Sequence, residues 1–120
     1  MDSINTTHST MISSQAVNGT DVYATTTGDH LGHIDELLID KRSGKVAYAL
    51  MAFGGFLGIG EEQFPLPWGK LRYDTEREGY VTDVTKEQLQ GAPERGDDWR
   101  LNREWERGYF TYYGLPPYWI

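Results

Sequence analysis

The 120-residue sequence predicts a mainly β fold: a small antiparallel β-barrel with one short helix and a C-terminal helical extension rich in aromatics. Three observations lead there. From Met11 onward, short apolar runs alternate with turn signals about every ten residues, the rhythm of an antiparallel barrel or sandwich. The run from Val46 to Phe53 is apolar throughout, too short for an ordinary core helix, and bounded by Gly44 and Gly54, which suits an inner strand covered on both faces. Eight of the sixteen aromatic residues fall between Trp99 and Ile120, so the end of the chain carries apolar surface that something must cover.

The elements follow in order. Met1 to Thr10 is polar and aperiodic and is expected to be a disordered tail outside the fold. Residues 11–90 make the barrel and 91–120 the extension. Asp21 to Thr25 reads as a first strand, ended by the turn chemistry of Thr27-Gly28-Asp29. His30 to Asp40 is the second. Its apolar positions change phase between Ile34 and Leu37, which predicts a bulge near Glu36. Lys41-Arg42-Ser43-Gly44 makes a hairpin turn, with Gly44 supplying the positive φ. Phe64 to Trp68 keeps strand alternation, yet Pro65 and Pro67 cannot donate to a ladder, so an edge strand or a loosely paired one is expected. Leu71 to Asp74 and Tyr80 to Val84 are the arms of a last hairpin around Glu76-Arg77-Glu78-Gly79. Thr85-Lys86-Glu87-Gln88 is a capping box that opens a helix of one or two turns, stopped at Gly91. A longer helix is expected near 98–113, with Leu101, Trp105, Tyr109 and Tyr112 on one face and Gly114 and Pro116 closing it.

Composition excludes several functions. With no Cys there is neither a disulfide framework nor a thiolate metal site, which suits a reducing cytoplasm. No stretch is long and apolar enough for a spanning helix, and the first fourteen residues lack the basic start and apolar centre of a signal peptide, so a soluble, cytoplasmic protein is expected. The net charge is −7, and residues 1–40 hold six carboxylates without one Lys or Arg. That third of the chain repels phosphate, which disfavours nucleic acid and anionic membranes as partners.

The segment Gly54-Gly55-Phe56-Leu57-Gly58-Ile59-Gly60 resembles a nucleotide loop only in its glycines. Their spacing fits neither a dinucleotide fingerprint nor a phosphate loop, and Glu61 and Glu62 follow where a cation would be needed. The glycines instead serve sharp turns that lay Phe56, Leu57 and Ile59 over an open barrel end or against a partner. His30 and His33 are three apart, and on a strand such residues point to opposite faces, so they are expected to be surface histidines and no metal is assigned. Ser43 lies on a hairpin turn, outside any nucleophile elbow, and the acidic pairs Glu61-Glu62 and Asp97-Asp98 sit in wet polar segments where raised pKa values are not expected. No catalytic residue and no cofactor are assigned.

Gly19-Thr20-Asp21-Val22-Tyr23, Leu31-Gly32-His33-Ile34, Ser43-Gly44-Lys45-Val46-Ala47-Tyr48-Ala49, the glycine-rich loop and Pro67-Trp68 together resemble the PRC-barrel family over roughly residues 11 to 90. The ending Pro116-Pro117-Tyr118-Trp119 is similar to extensions on stand-alone bacterial members. The resemblance implies a small barrel that works as an adaptor surface, with no catalytic residues shared across the family. The barrel of the reaction-centre H subunit and that of a bacterial ribosome maturation factor belong to the same family, but this chain lacks the spanning helix of the one and the additional domain of the other. The expected function is a protein-interaction barrel that forms a homodimer, with candidate contacts at Phe56, Leu57, Ile59, Trp105, Tyr109, Tyr112, Tyr118 and Trp119. Ribosome or RNA association and small-ligand binding in the barrel mouth are the alternatives; the latter is disfavoured because so small a barrel is filled by side chains.

Overall fold

Local chemistry sets the course of the chain before any packing is considered. In the computed structural model, which describes residues 10–53 and 63–120, the Ser13 hydroxyl accepts from the Ala16 amide at 3.1 Å and opens a single helical turn, α1 (Ser14–Val17), whose Val17 plugs into the core. The sequence reading did not anticipate this turn. The polar segment before Thr10 and the glycine-rich loop with Phe56, Leu57 and Ile59 lie outside the described residues.

Strands β1 (Asp21–Ala24), β2 (His30–Ile39) and β3 (Val46–Ala52) form an antiparallel meander. The turn between β2 and β3 places Gly44 at φ 78°, and Asp40 accepts from the Ser43 hydroxyl at 2.7 Å and from the amides of Arg42 and Ser43. The register between β2 and β3 jumps from Ile34↔Met51 to Glu36↔Leu50, so Asp35 is the extra residue of the anticipated bulge. β3 is paired on both sides and Ala47 to Met51 are all buried, as its unbroken apolar run requires. β4 (Gln63–Pro67) completes that end of the sheet as an edge strand, in keeping with its two prolines. After a 3₁₀ turn at Trp68–Lys70, β5 (Arg72–Asp74) and β6 (Gly79–Thr82) form the expected hairpin.

Two features of the expected barrel are corrected. The six strands run in the order β4-β3-β2-β1-β6-β5 as a sheet that is not closed, and β1 pairs with β6 in parallel, Val22 opposite Tyr80. The antiparallel expectation holds for strands joined by tight turns, whereas β1 and β6 are separated by the whole meander, which leaves their relative direction free. The two terminal strands are poor partners for closure: one carries prolines and the other has three residues.

One close approach governs the middle of the sheet. A Cβ at Gly32 would collide with the Ala52 carbonyl oxygen and crowd the backbone of Phe53. Gly32→Ala is therefore expected to push β2 off β3 and cost about 2 kcal/mol, read as a lowered urea midpoint with an unchanged slope.

The helices close the core from the other side. Thr85 and Gln88 form both bonds of the capping box that starts α2 (Lys86–Gln90), and Leu89 is buried. The single helix expected over 98–113 is instead split. Trp99–Leu101 is a 3₁₀ turn, and Asn102 accepts from the Trp105 amide at 3.0 Å to cap a new helix, α3 (Arg103–Tyr112). An Asn side chain competes with the backbone for such bonds and so favours a cap over a helix interior. Leu101 consequently stands 88% exposed, and the buried stripe is Glu106, Tyr109, Phe110 and Tyr113 in place of the expected Leu101, Trp105, Tyr109 and Tyr112. Gly114, at φ 74°, ends α3 with amide bonds from Gly114 to Thr111 and from Leu115 to Phe110, a Schellman closure that turns the chain back toward the sheet.

Candidate interaction surface

The extension packs on its own domain. Tyr109, Phe110 and Tyr113 join Val22, Ile34, Met51 and Leu66 in one buried cluster, and the Tyr48 ring of β3 is surrounded by Trp99, Tyr109, Phe110 and Tyr118 at centroid distances of 5.3–6.4 Å. Aromatic pairs in such tilted arrangements contribute about 0.5–1.5 kcal/mol each beyond their buried area. The apolar surface that the sequence placed at the end of the chain is thus largely covered in cis.

At the centre of this contact is a buried carboxylate. Glu106, 2% exposed, accepts from the Tyr48 hydroxyl at 2.7 Å and from the Tyr118 hydroxyl at 2.8 Å, both on Oε1. Its Oε2 lies 4.0 Å from Nε of Arg103. One acid thereby joins an inner strand, the last helix and the final residues of the chain. Burial and the bond to Glu106 hold the Tyr48 phenol far above its ordinary range, and the same two causes push Tyr118 up to about 12. Neither Tyr48 nor Glu106 was singled out from sequence. The available signal was the position of Glu106 on the stripe it shares with Phe110 and Tyr113, where a carboxylate must find donors.

The predicted contact residues meet different fates. Tyr109 is 1% exposed and beyond a partner's reach. Trp105 stacks on Tyr109 at 4.4 Å and donates from Nε1 to the Glu94 carbonyl at 2.7 Å. Tyr112 is 38% exposed but spends its hydroxyl on the Gln88 carbonyl, which ties α3 to α2. Tyr118 is half-buried on Glu106, and Trp119 is half-buried with the Arg103 guanidinium 4.0 Å and the Arg107 guanidinium 5.5 Å from its ring centre. The structure brings Tyr118 and Trp119 together on one side of α3 and leaves Tyr112 at a distance, against α2.

Two clefts open beside Glu106. One, of about 400 Å³, lies between the β2–β3 turn and the Trp99 turn, with Leu38, Ile39, Tyr48 and Trp99 in its walls and Glu106 among its lining residues. The other, of about 340 Å³, is bounded by Lys45, Arg103, Trp119 and Ile120. Asp40, Arg42 and Tyr118 line both. A third cleft, about 780 Å³, also borders Trp99, runs along Leu89 to Asp97 and is mostly polar.

His30 and His33 are each held by a different carboxylate, Asp21 and Asp35, both at 2.9 Å. Among the described residues no three His, Asp or Glu side chains gather as a metal site, and no helix is long and apolar enough to cross a membrane.

A mixed six-stranded sheet buttressed by short helices, with its chemistry concentrated in an aromatic contact, defines a small β domain. The PRC-barrel domain family model matches residues 9–89, two thirds of the chain, and the protein belongs to that family. No curated protein matches it.

Proposed function

We propose that this PRC-barrel domain is a non-catalytic adaptor that binds other proteins and self-associates as a dimer. The observation that supports the reading best is the end of the molecule around the β2–β3 turn. Ile39 and Ile120 stand 55% and 77% exposed on adjoining clefts, beside half-buried Trp99 and Trp119. Exposed aliphatic and aromatic residues rimmed by charge are the makings of a protein-binding patch. The carboxylate at the centre of the site is already committed to two tyrosine hydroxyls that anchor the extension, a positioning role that supports adaptor work over acid–base chemistry.

Light scattering across micromolar concentrations measures the self-association directly. A mass near twice 13.7 kDa is expected, and a strictly monomeric mass at every concentration would remove the dimer. Truncation before Trp99 is unsuited to this test, because it would also strip Tyr109, Phe110 and Tyr113 from the core. Surface variants such as Ile39→Asp leave the core intact and address the patch itself.

A further inference from the structure

The charge of this acidic protein is strongly segregated. Six of its eleven basic residues, Lys41, Arg42, Lys45, Arg100, Arg103 and Arg107, are gathered around the two clefts beside Glu106, and all six are exposed. Lys41, Arg42 and Arg100 line the larger cleft; Arg42, Lys45 and Arg103 line the smaller; Arg107 reaches the same site over Trp119. The two carboxylates that line these clefts are committed. Asp40 caps the turn through Ser43, and Glu106 is buried under two tyrosines. Among the described residues, Lys41, Arg42, Lys45, Arg100 and Arg107 make no salt bridge.

From this we infer that the clefts bind an acidic, hydrophobically anchored segment of a partner protein: an apolar side chain enters the cleft walled by Leu38, Ile39 and Trp99, and flanking Asp or Glu residues pair with the cationic rim. The inference rests on the adaptor reading and names its partner class. Charge complementarity selects an anionic occupant, and the apolar walls select one with a large uncharged side chain. Nucleic acid fits less well, because the ring faces that bases would stack on are already taken: Arg103 and Arg107 lie over Trp119, and Arg100 lies over Trp99 at 5.4 Å. A flat anionic membrane would leave a concave cleft of about 400 Å³ unfilled.

Fluorescence anisotropy of the full chain tests this with four probes: a labelled peptide of about fifteen residues that alternates Glu or Asp with Leu and Phe, a polyglutamate peptide of the same charge, a single-stranded oligonucleotide, and vesicles with anionic lipid. The anchored peptide is expected to bind most tightly, to weaken about tenfold or more with Arg42→Glu plus Arg100→Glu, and to weaken further with added salt. Equal binding of polyglutamate overturns the role of the apolar cleft. Tighter binding of the oligonucleotide or vesicles reassigns the face to that polyanion and overturns the proposal, as does failure of every probe at low salt. Light scattering on the wild-type protein separates the two readings. A dimer in a protein that ignores the peptide sinks this inference and leaves the adaptor standing, whereas a monomer that binds no peptide sinks both.

Discussion

Replacing Glu106 with Ala is expected to destabilise the domain by about 3 kcal/mol, a fall in melting temperature of roughly 10 °C for a chain of this length. The carboxylate is the shared acceptor for Tyr48 and Tyr118, and its loss strands a buried phenol on β3 while it frees another in the final segment. Glu106→Gln keeps a carbonyl in place and should cost about 1 kcal/mol. Simple space filling predicts the same ordering of the two variants, so a cycle with Tyr48→Phe separates it from the hydrogen-bond role: once the Tyr48 hydroxyl is gone, Glu106→Ala should cost less than it does in the wild type. The chain after Gly114 should also become more sensitive to protease in Glu106→Ala, because Tyr118 loses its hydrogen-bonded tether and keeps its ring contacts with Tyr48, Phe110 and Arg103. Additive losses and an unchanged proteolysis pattern would show that the carboxylate does not join strand, helix and terminus as described.

The elements that the sequence disclosed are those whose cause is local. The phase change between Ile34 and Leu37 announces the Asp35 bulge, the two prolines announce the edge strand, and Thr85 with Gln88 announces the capping box, because each depends on backbone geometry within a few residues. What was hidden depends on distant partners. Nothing near Val22 specifies that it lies beside Tyr80 in parallel, so barrel closure could not be tested from turn signals. The break at Asn102 was missed for a different reason: a periodic apolar pattern ran through it from Leu101 to Tyr112, and the cap won locally over that pattern. The site shows the same division. Trp119 and Tyr118 stood out as aromatic residues at a terminus, but their partners Arg103, Arg107, Glu106 and Tyr48 come from elements that only the fold unites. The charge segregation was obscured as well. A net charge of −7 argues against anionic partners for the molecule as a whole, while the β2–β3 turn and one side of α3 combine into a cationic end.

Alkaline pH should unfold the domain in a steep transition between about pH 11 and 12. Burial raises Tyr109 to about 12, and raises Tyr48 and Tyr113 further still, above the value near 10 that each has in an unfolded chain. In the folded state these phenols keep protons that the unfolded chain has already released. Their contribution to stability is therefore flat below pH 10 and falls as the pH rises toward the folded values, by about 1.4 kcal/mol per pH unit for each group and about 4 kcal/mol per unit for the three together. Circular dichroism and tyrosinate absorbance should change together through the transition. Gradual ionisation of every tyrosine with the near-ultraviolet dichroism intact at pH 12 would contradict the burial on which the fold rests. Tyr113→Phe sharpens the test. The Tyr113 hydroxyl is buried and meets no hydrogen-bond partner among the described residues, so its removal should be neutral or slightly stabilising at pH 7. At high pH the same substitution deletes one of the retained protons, and the unfolding midpoint should move upward as the slope becomes shallower.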